Sequence, residues 1–154
     1  YEILYQYGGI FLDADSYWIE KENSDLNILL EKDKHDFFCA NEPKNKEYFA
    51  NGVFGCTKNN DIVFQIINYL KDTYKEEKKK HSHKYSIWLV LGPVPFTKIV
   101  NKNIDKIEIF PSCYFYPESF KKDNRSIKLD DMKTLFPNSF MYQYWLSHTD
   151  EYKE

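Results

Sequence analysis

The period of the apolar positions changes abruptly within the first dozen residues. Ile3, Leu4 and Tyr7 fall at helical spacing. Gly8 and Gly9 follow, and glycine ends helices because it enters the left-handed region without a Cβ clash. Ile10, Phe11 and Leu12 then form an unbroken apolar run, the pattern of a strand buried on both faces. Asp13 and Asp15 come directly after it. An ionised carboxylate does not stay unpaired inside a core. The pattern therefore predicts that both aspartates leave the sheet at the C-terminal end of that strand, the edge where open α/β sheets bind ligands.

The rest of the chain reads as alternating strands and helices. Residues 16–19 continue as an extended segment, and Ser24-Asp25 can cap a short helix to 32 with Leu26, Leu29 and Leu30 on one face. A strand over 36–40 exits at Asn41-Glu42-Pro43, and 44–48 reads as a polar loop. Residues 51–56, NGVFGC, read as another strand. Asn60-Asp61 caps a helix from 62 to about 74, whose Val63, Ile66, Ile67 and Leu70 should pack on the sheet. An apolar stretch over 85–91 leads into Gly92-Pro93. Pro93 and Pro95 suit the first turn of a further helix, where a missing N–H is no loss. Phe96, Ile99 and Val100 are its packing face. Residues 104–110 alternate well enough for a strand, and 127–136 form a loop with a helical turn.

The spacing of the two aspartates carries the candidate chemistry. Residues i and i+2 of a strand project from one face, about 7 Å apart along the chain. Two hard oxygen donors at that reach suit one divalent cation that keeps other positions open for phosphate oxygens. Ala14 between them is small and lets a ligand approach the backbone. The bland alternative is a solvated strand end. Chance alone produces about one D-x-D in a chain of this composition; the apolar run and the glycine stop raise the signal above that.

Composition narrows the classes. The chain has 154 residues, enough for one domain with a core. A net charge of −3 supplies no general basic field for nucleic acid. Cys39, Cys56 and Cys113 are an odd set without close metal spacing, and each lies in an apolar context that suits a buried thiol. No apolar run approaches the roughly 18 residues of a membrane span. Aromatics make up 18%, mostly material for a core. The charged stretch KEEKKKHSHK over 75–84 reads as a solvated helix end or a mobile loop. Its lysines can touch an anionic membrane or glycan, which leaves a peripheral membrane association open. His81 and His83 lack a nearby third ligand.

The stretch LYQYGGIFLDAD over 4–15 resembles the signature of the glycosyltransferases with a sugar-binding region containing a DXD motif. These are retaining enzymes of GT-A fold. They include yeast-type initiation mannosyltransferases, bacterial capsule and polysaccharide transferases and the glucosylating clostridial toxins. NGVFG over 51–55, GPVPFT over 92–97 and FYP over 115–117 also resemble family segments, in order, so the likeness spans nearly the whole chain. It implies a GT-A-like (Rossmann-like) α/β architecture, a mixed sheet flanked by helices. The family's N-terminal nucleotide-binding βαβ portion, and the Asp and Arg that precede its leucine-tyrosine-glycine-glycine run, lie before the stretch that begins at Tyr1. On that comparison the chain is expected to be one catalytic-domain fragment: the centre and C-terminal half of a transferase.

What the resemblance implies about the site follows from it alone. Asp15 ligates Mn²⁺ or Mg²⁺, and Asp13 contacts the ribose or reaches the metal through water. Asn51 borders the donor sugar, although an asparagine before Gly52 can equally satisfy a local turn. The turn at Gly92 lies beside the active site. Thr97 matches a family threonine, while a helical threonine can also bond its own backbone. Residues 140–148, FMYQYWLSH, resemble the closing segment, which usually carries a histidine two residues before a tryptophan. Gln143 stands there, before Trp145, and His148 is the substitute candidate for the diphosphate or metal. The implied activity is transfer of a hexose from a nucleotide-sugar donor to a glycan or lipid-linked saccharide, without nucleic acid. The implied compartment is the cytoplasm of a bacterium or a viral host, or the Golgi lumen in a eukaryote. Two other classes compete: a non-catalytic sugar-binding or scaffold remnant, and a metal-dependent phosphodiesterase or nuclease, which usually needs more clustered acids or histidines than this chain offers.

Overall fold

The computed structural model describes residues 1–19, 36–43, 45–80, 86–119 and 127–145. The helix expected over 24–32, His81, His83 and His148 lie outside them. The chain is mixed α/β. A four-stranded mixed sheet has the order β1-β4-β3-β5, formed by Gly9–Leu12 (β1), Phe37–Glu42 (β3), Asn45–Cys56 (β4) and Glu108–Phe110 (β5). Strands β1 and β3 run antiparallel to β4, and β5 runs parallel to β3. A separate two-stranded ribbon pairs Ser16–Trp18 (β2) with Met141–Gln143 (β6).

Period-two alternation sorts the strand side chains onto two cores. Phe37, Cys39, Phe54 and Cys56 face one side and pack with Val63, Ile66, Phe96 and Val100. Those partners come from Asp61–Lys80 (α2) and Pro93–Lys102 (α4). Phe38, Ala40 and Val53 face the other side, against Phe115, Tyr116 and Met141. A smaller cluster of Ile19, Met132 and Tyr142 sits under the ribbon; Met132 comes from Leu129–Leu135 (α5). Short helix Ser86–Val90 (α3) turns into α4 at Gly92.

Several expectations hold. Helix Glu2–Tyr7 (α1) ends at Gly8, with φ 73°. Asn60 caps α2, its Oδ1 accepting from the amides of Ile62 at 3.0 Å and Val63 at 3.3 Å. That helix runs on to Lys80. Glu and Lys propagate a helix well, and the three terminal lysines oppose its negative end.

Others are corrected. Strand β1 is not buried on both faces: Phe11 is 40% and Leu12 39% exposed. It is an edge strand, with β4 its one neighbour among the described residues. Ile3 and Tyr7 are likewise exposed, and Leu4 alone carries the buried face of α1. Residues 45–48 are not loop but the start of β4, which doubles back on β3 with Glu42 facing Asn45. Phe49 and Ala50 anchor that hairpin in the two cores. The strand expected over 104–110 shortens to Glu108–Phe110, because Ile104–Lys106 closes a 3₁₀ turn. Cys39 and Cys56 are buried thiols, whereas Cys113 is exposed on a second 3₁₀ turn, Ser112–Tyr114.

Candidate functional site

The two carboxylates leave β1 together in one tight turn. The Asp13 amide donates to the Gly52 carbonyl at 2.8 Å, and the Asp13 carbonyl accepts from the Ser16 amide at 2.9 Å. The first bond ties the turn to β4 and the second closes it. The chain then enters β2, where the Asp15 carbonyl accepts from the Tyr144 amide at 3.0 Å. Asp13 therefore hangs from the four-stranded sheet and Asp15 from the ribbon. The site is the seam between them.

A register fault in β4 shapes the sheet side. Phe38 faces Gly55 and Ala40 faces Ala50, so two steps along β3 meet five along β4. The surplus falls within 51–54. Irregularities of this kind re-aim side chains and often border functional sites. Here the fault brings Gly52 up against Asp13. A Cβ built on Gly52 would stand 2.7 Å from Asp13 Oδ2 and 3.3 Å from the Tyr116 hydroxyl. Glycine at 52 is what lets the Asp13 carboxylate lie against the strand.

Electrostatics bind this side together. Burial first, and the Asp15 charge second, push the Asp13 carboxyl up to about 6. One edge of Asp13 stays exposed, so solvent reaches the group and moderates the like-charge repulsion. Asn51 Nδ2 donates to the Tyr1 hydroxyl at 3.3 Å. Burial raises that phenol to about 12; the Asn51 bond works against the rise and the Asp13 charge adds to it. Tyr116 is buried, and its hydroxyl faces the Val53 amide without closing a hydrogen bond. Burial, with the Asp13 charge second, holds that phenol protonated.

The ribbon side is a chain of polar ties. Gln143 Nε2 donates to Asp15 Oδ1. Ser16 Oγ donates to Gln143 Oε1 at 2.5 Å. Ser16 and Gln143 are also directly opposite in the β2–β6 register.

Of the sequence-predicted residues, Asp13 and Asp15 share one turn, and Asn51 lies beside it in the chain before Gly52, with its amide on the Tyr1 hydroxyl. Gly92 has a packing role: a Cβ there would meet the Trp88 Cα and carbonyl oxygen at 2.9 Å, so glycine lets α4 start close against α3. Thr97 bonds neither its own helix nor the aspartates; its Oγ1 accepts from the Phe49 amide of β4 at 2.8 Å. Gly52, Tyr1, Tyr116 and the Ser16–Gln143 pair were not foreseen as parts of the site. Gln143 alone carried a signal, as the departure from the pattern of the resembled family.

The donor set fits a divalent cation. Both acids offer hard oxygens, and their mutual repulsion is the load that such an ion relieves. Among the described residues no group of three or more His, Cys, Asp and Glu side chains gathers, so an ion held here keeps positions for ligand oxygens or water. Comparison with family models, with curated proteins and with solved structures finds no match to this chain.

Proposed function

We propose that this chain carries the cation-binding centre of a retaining, GT-A-type glycosyltransferase, which moves a hexose from a nucleotide sugar to a glycan or lipid-linked saccharide. One observation supports the reading above the rest: Asp13 and Asp15 leave a strand in a single turn and feel each other's charge. Asp15 and Asp13 would hold Mn²⁺ or Mg²⁺. When bound, such a cation supplies Lewis-acid stabilisation of the charge that grows on a departing diphosphate. Asp13, at the exposed edge, is placed to accept a hydroxyl of the donor. Asn51 Oδ1 can accept another, while its Nδ2 is engaged by Tyr1. The glycine-floored notch at 52 keeps the Asp13 oxygen at a set height above β4. No helix among the described residues is long and apolar enough to cross a membrane, which is compatible with a peripheral association with lipid-linked acceptors.

A second reading, a sugar-binding remnant without turnover, draws on the surface shape. Two concavities of about 370 and 130 Å³ lie against α2, and neither takes in Asp13 or Asp15. One assay separates the readings: incubate the protein with a panel of nucleotide sugars, with and without Mn²⁺, and measure released nucleoside diphosphate. Metal-dependent release that falls at least about a hundredfold in Asp15→Asn, with an unchanged circular dichroism spectrum, supports the transferase. Equal release by Asp15→Asn refutes it. Glycan binding with no release by the wild type favours the remnant.

A further inference from the structure

We infer that Gln143 is a positioning residue for Asp15: its amide orients the carboxylate without discharging it, and the Ser16 hydroxyl orients the amide. The cation in this inference rests on the proposed function; the clasp rests on geometry alone.

Gln143 is 4% exposed, so both ends of its amide need partners inside the protein. An ionised carboxylate only accepts hydrogen bonds, and a serine hydroxyl can donate. The NH₂ must therefore face Asp15 and the carbonyl must face Ser16. That is the arrangement found, with Nε2 on Asp15 Oδ1 and Oε1 on Ser16 Oγ. A flipped amide would set a carbonyl against a carboxylate. Ser16 and Gln143 sit opposite each other in the ribbon, and the Tyr144 amide bonds the Asp15 carbonyl. Backbone pairing thus delivers all three side chains in register.

The chemistry of the amide is the point. A lysine or arginine at 143 would orient Asp15 but cancel its charge. A histidine would add a group that ionises near neutral pH and can itself take the cation. A neutral amide gives a charge-assisted hydrogen bond and leaves the full negative charge on Asp15. The bonded pair also spans 128 residues of chain, so β6 belongs to the site as much as the aspartate turn does.

The test measures Mn²⁺ affinity by calorimetry for the wild type, Gln143→Leu and Ser16→Ala. Melting temperatures in EDTA show which variants fold. Gln143→Leu should weaken Mn²⁺ binding about ten-fold or more. Ser16→Ala, which touches only the amide, should weaken it about three-fold. A folded Gln143→Leu that binds Mn²⁺ like the wild type overturns the inference while leaving the cation site standing. If Gln143→Leu does not fold, Ser16→Ala decides, and unaltered affinity there overturns it. A wild type that takes no Mn²⁺ sinks the cation reading instead. The Gln143 side-chain amide protons then judge the clasp: by NMR they should shift and lose exchange protection in Asp15→Asn, and unchanged protons overturn it.

Discussion

Asp13 and Asp15 are separated by one alanine, yet they belong to two different kinds of structure. Asp13 is held by packing. Gly52 clears its floor, the Tyr116 hydroxyl lies beside that floor, and desolvation on its inner side raises its carboxyl to about 6 although the residue is exposed overall. Asp15 is held by hydrogen bonds, with an amide on its oxygen and a hydroxyl behind the amide. The first environment resists negative charge; the second fixes where an oxygen points. The contrast teaches that a two-residue motif can be assembled from two separately built walls, one apolar and steric, one polar and directional.

The comparison breaks most severely at Gly52. Gly52→Val places methyl groups where even a Cβ already stands 2.7 Å from Asp13 Oδ2. The carboxylate or β4 must move, a strain worth about 1–3 kcal/mol. Calorimetry should find Mn²⁺ binding lost, and a melting curve should show a drop of several degrees. Wild-type affinity in Gly52→Val would mean that the sheet side does not set the Asp13 position.

A smaller effect should come from pH. The Asp13 carboxyl sits at about 6 in the fold against a usual 3.8. A raised acid favours the protonated fold, so its contribution to stability is present below about pH 4 and is lost as pH rises through 6. Between those values the wild-type melting temperature in EDTA should fall relative to that of Asp13→Asn. Mn²⁺ should narrow the gap above pH 6. Parallel melting profiles for the two proteins would show that burial does not act on this carboxyl.

The smallest effect belongs to Tyr116. Among the described residues its buried hydroxyl has no hydrogen-bond partner, so Tyr116→Phe removes a desolvated group with little loss of bonding. The melting temperature should hold or rise by a degree or two, and Mn²⁺ affinity should stay within about two-fold. A clear loss of stability would mean that the hydroxyl bonds Asp13 or the Val53 amide in solution.

Local physics made much of this legible. The Gly8 stop, the Asn60 cap and the two faces of β3 each follow from nearest-neighbour geometry. The aspartates at the end of β1 follow from the cost of burying charge. The edge position of β1 did not follow, because an apolar triplet reads the same at the rim of a sheet as in its centre. The extension of β4 through 45–48 did not follow either, since its anchor is the packing of Phe49 and Ala50 on opposite faces.

By itself the sequence determined where α1 stops, where α2 starts and which two acids stand together, because those depend on residues within a few positions of one another. Only the tertiary structure decided what surrounds each acid. The register fault that lifts Gly52, the burial that raises Asp13 and the amide that holds Asp15 all depend on partners many residues away. No local propensity encodes such a meeting; it exists only once two sheets have packed and brought their edges into one seam.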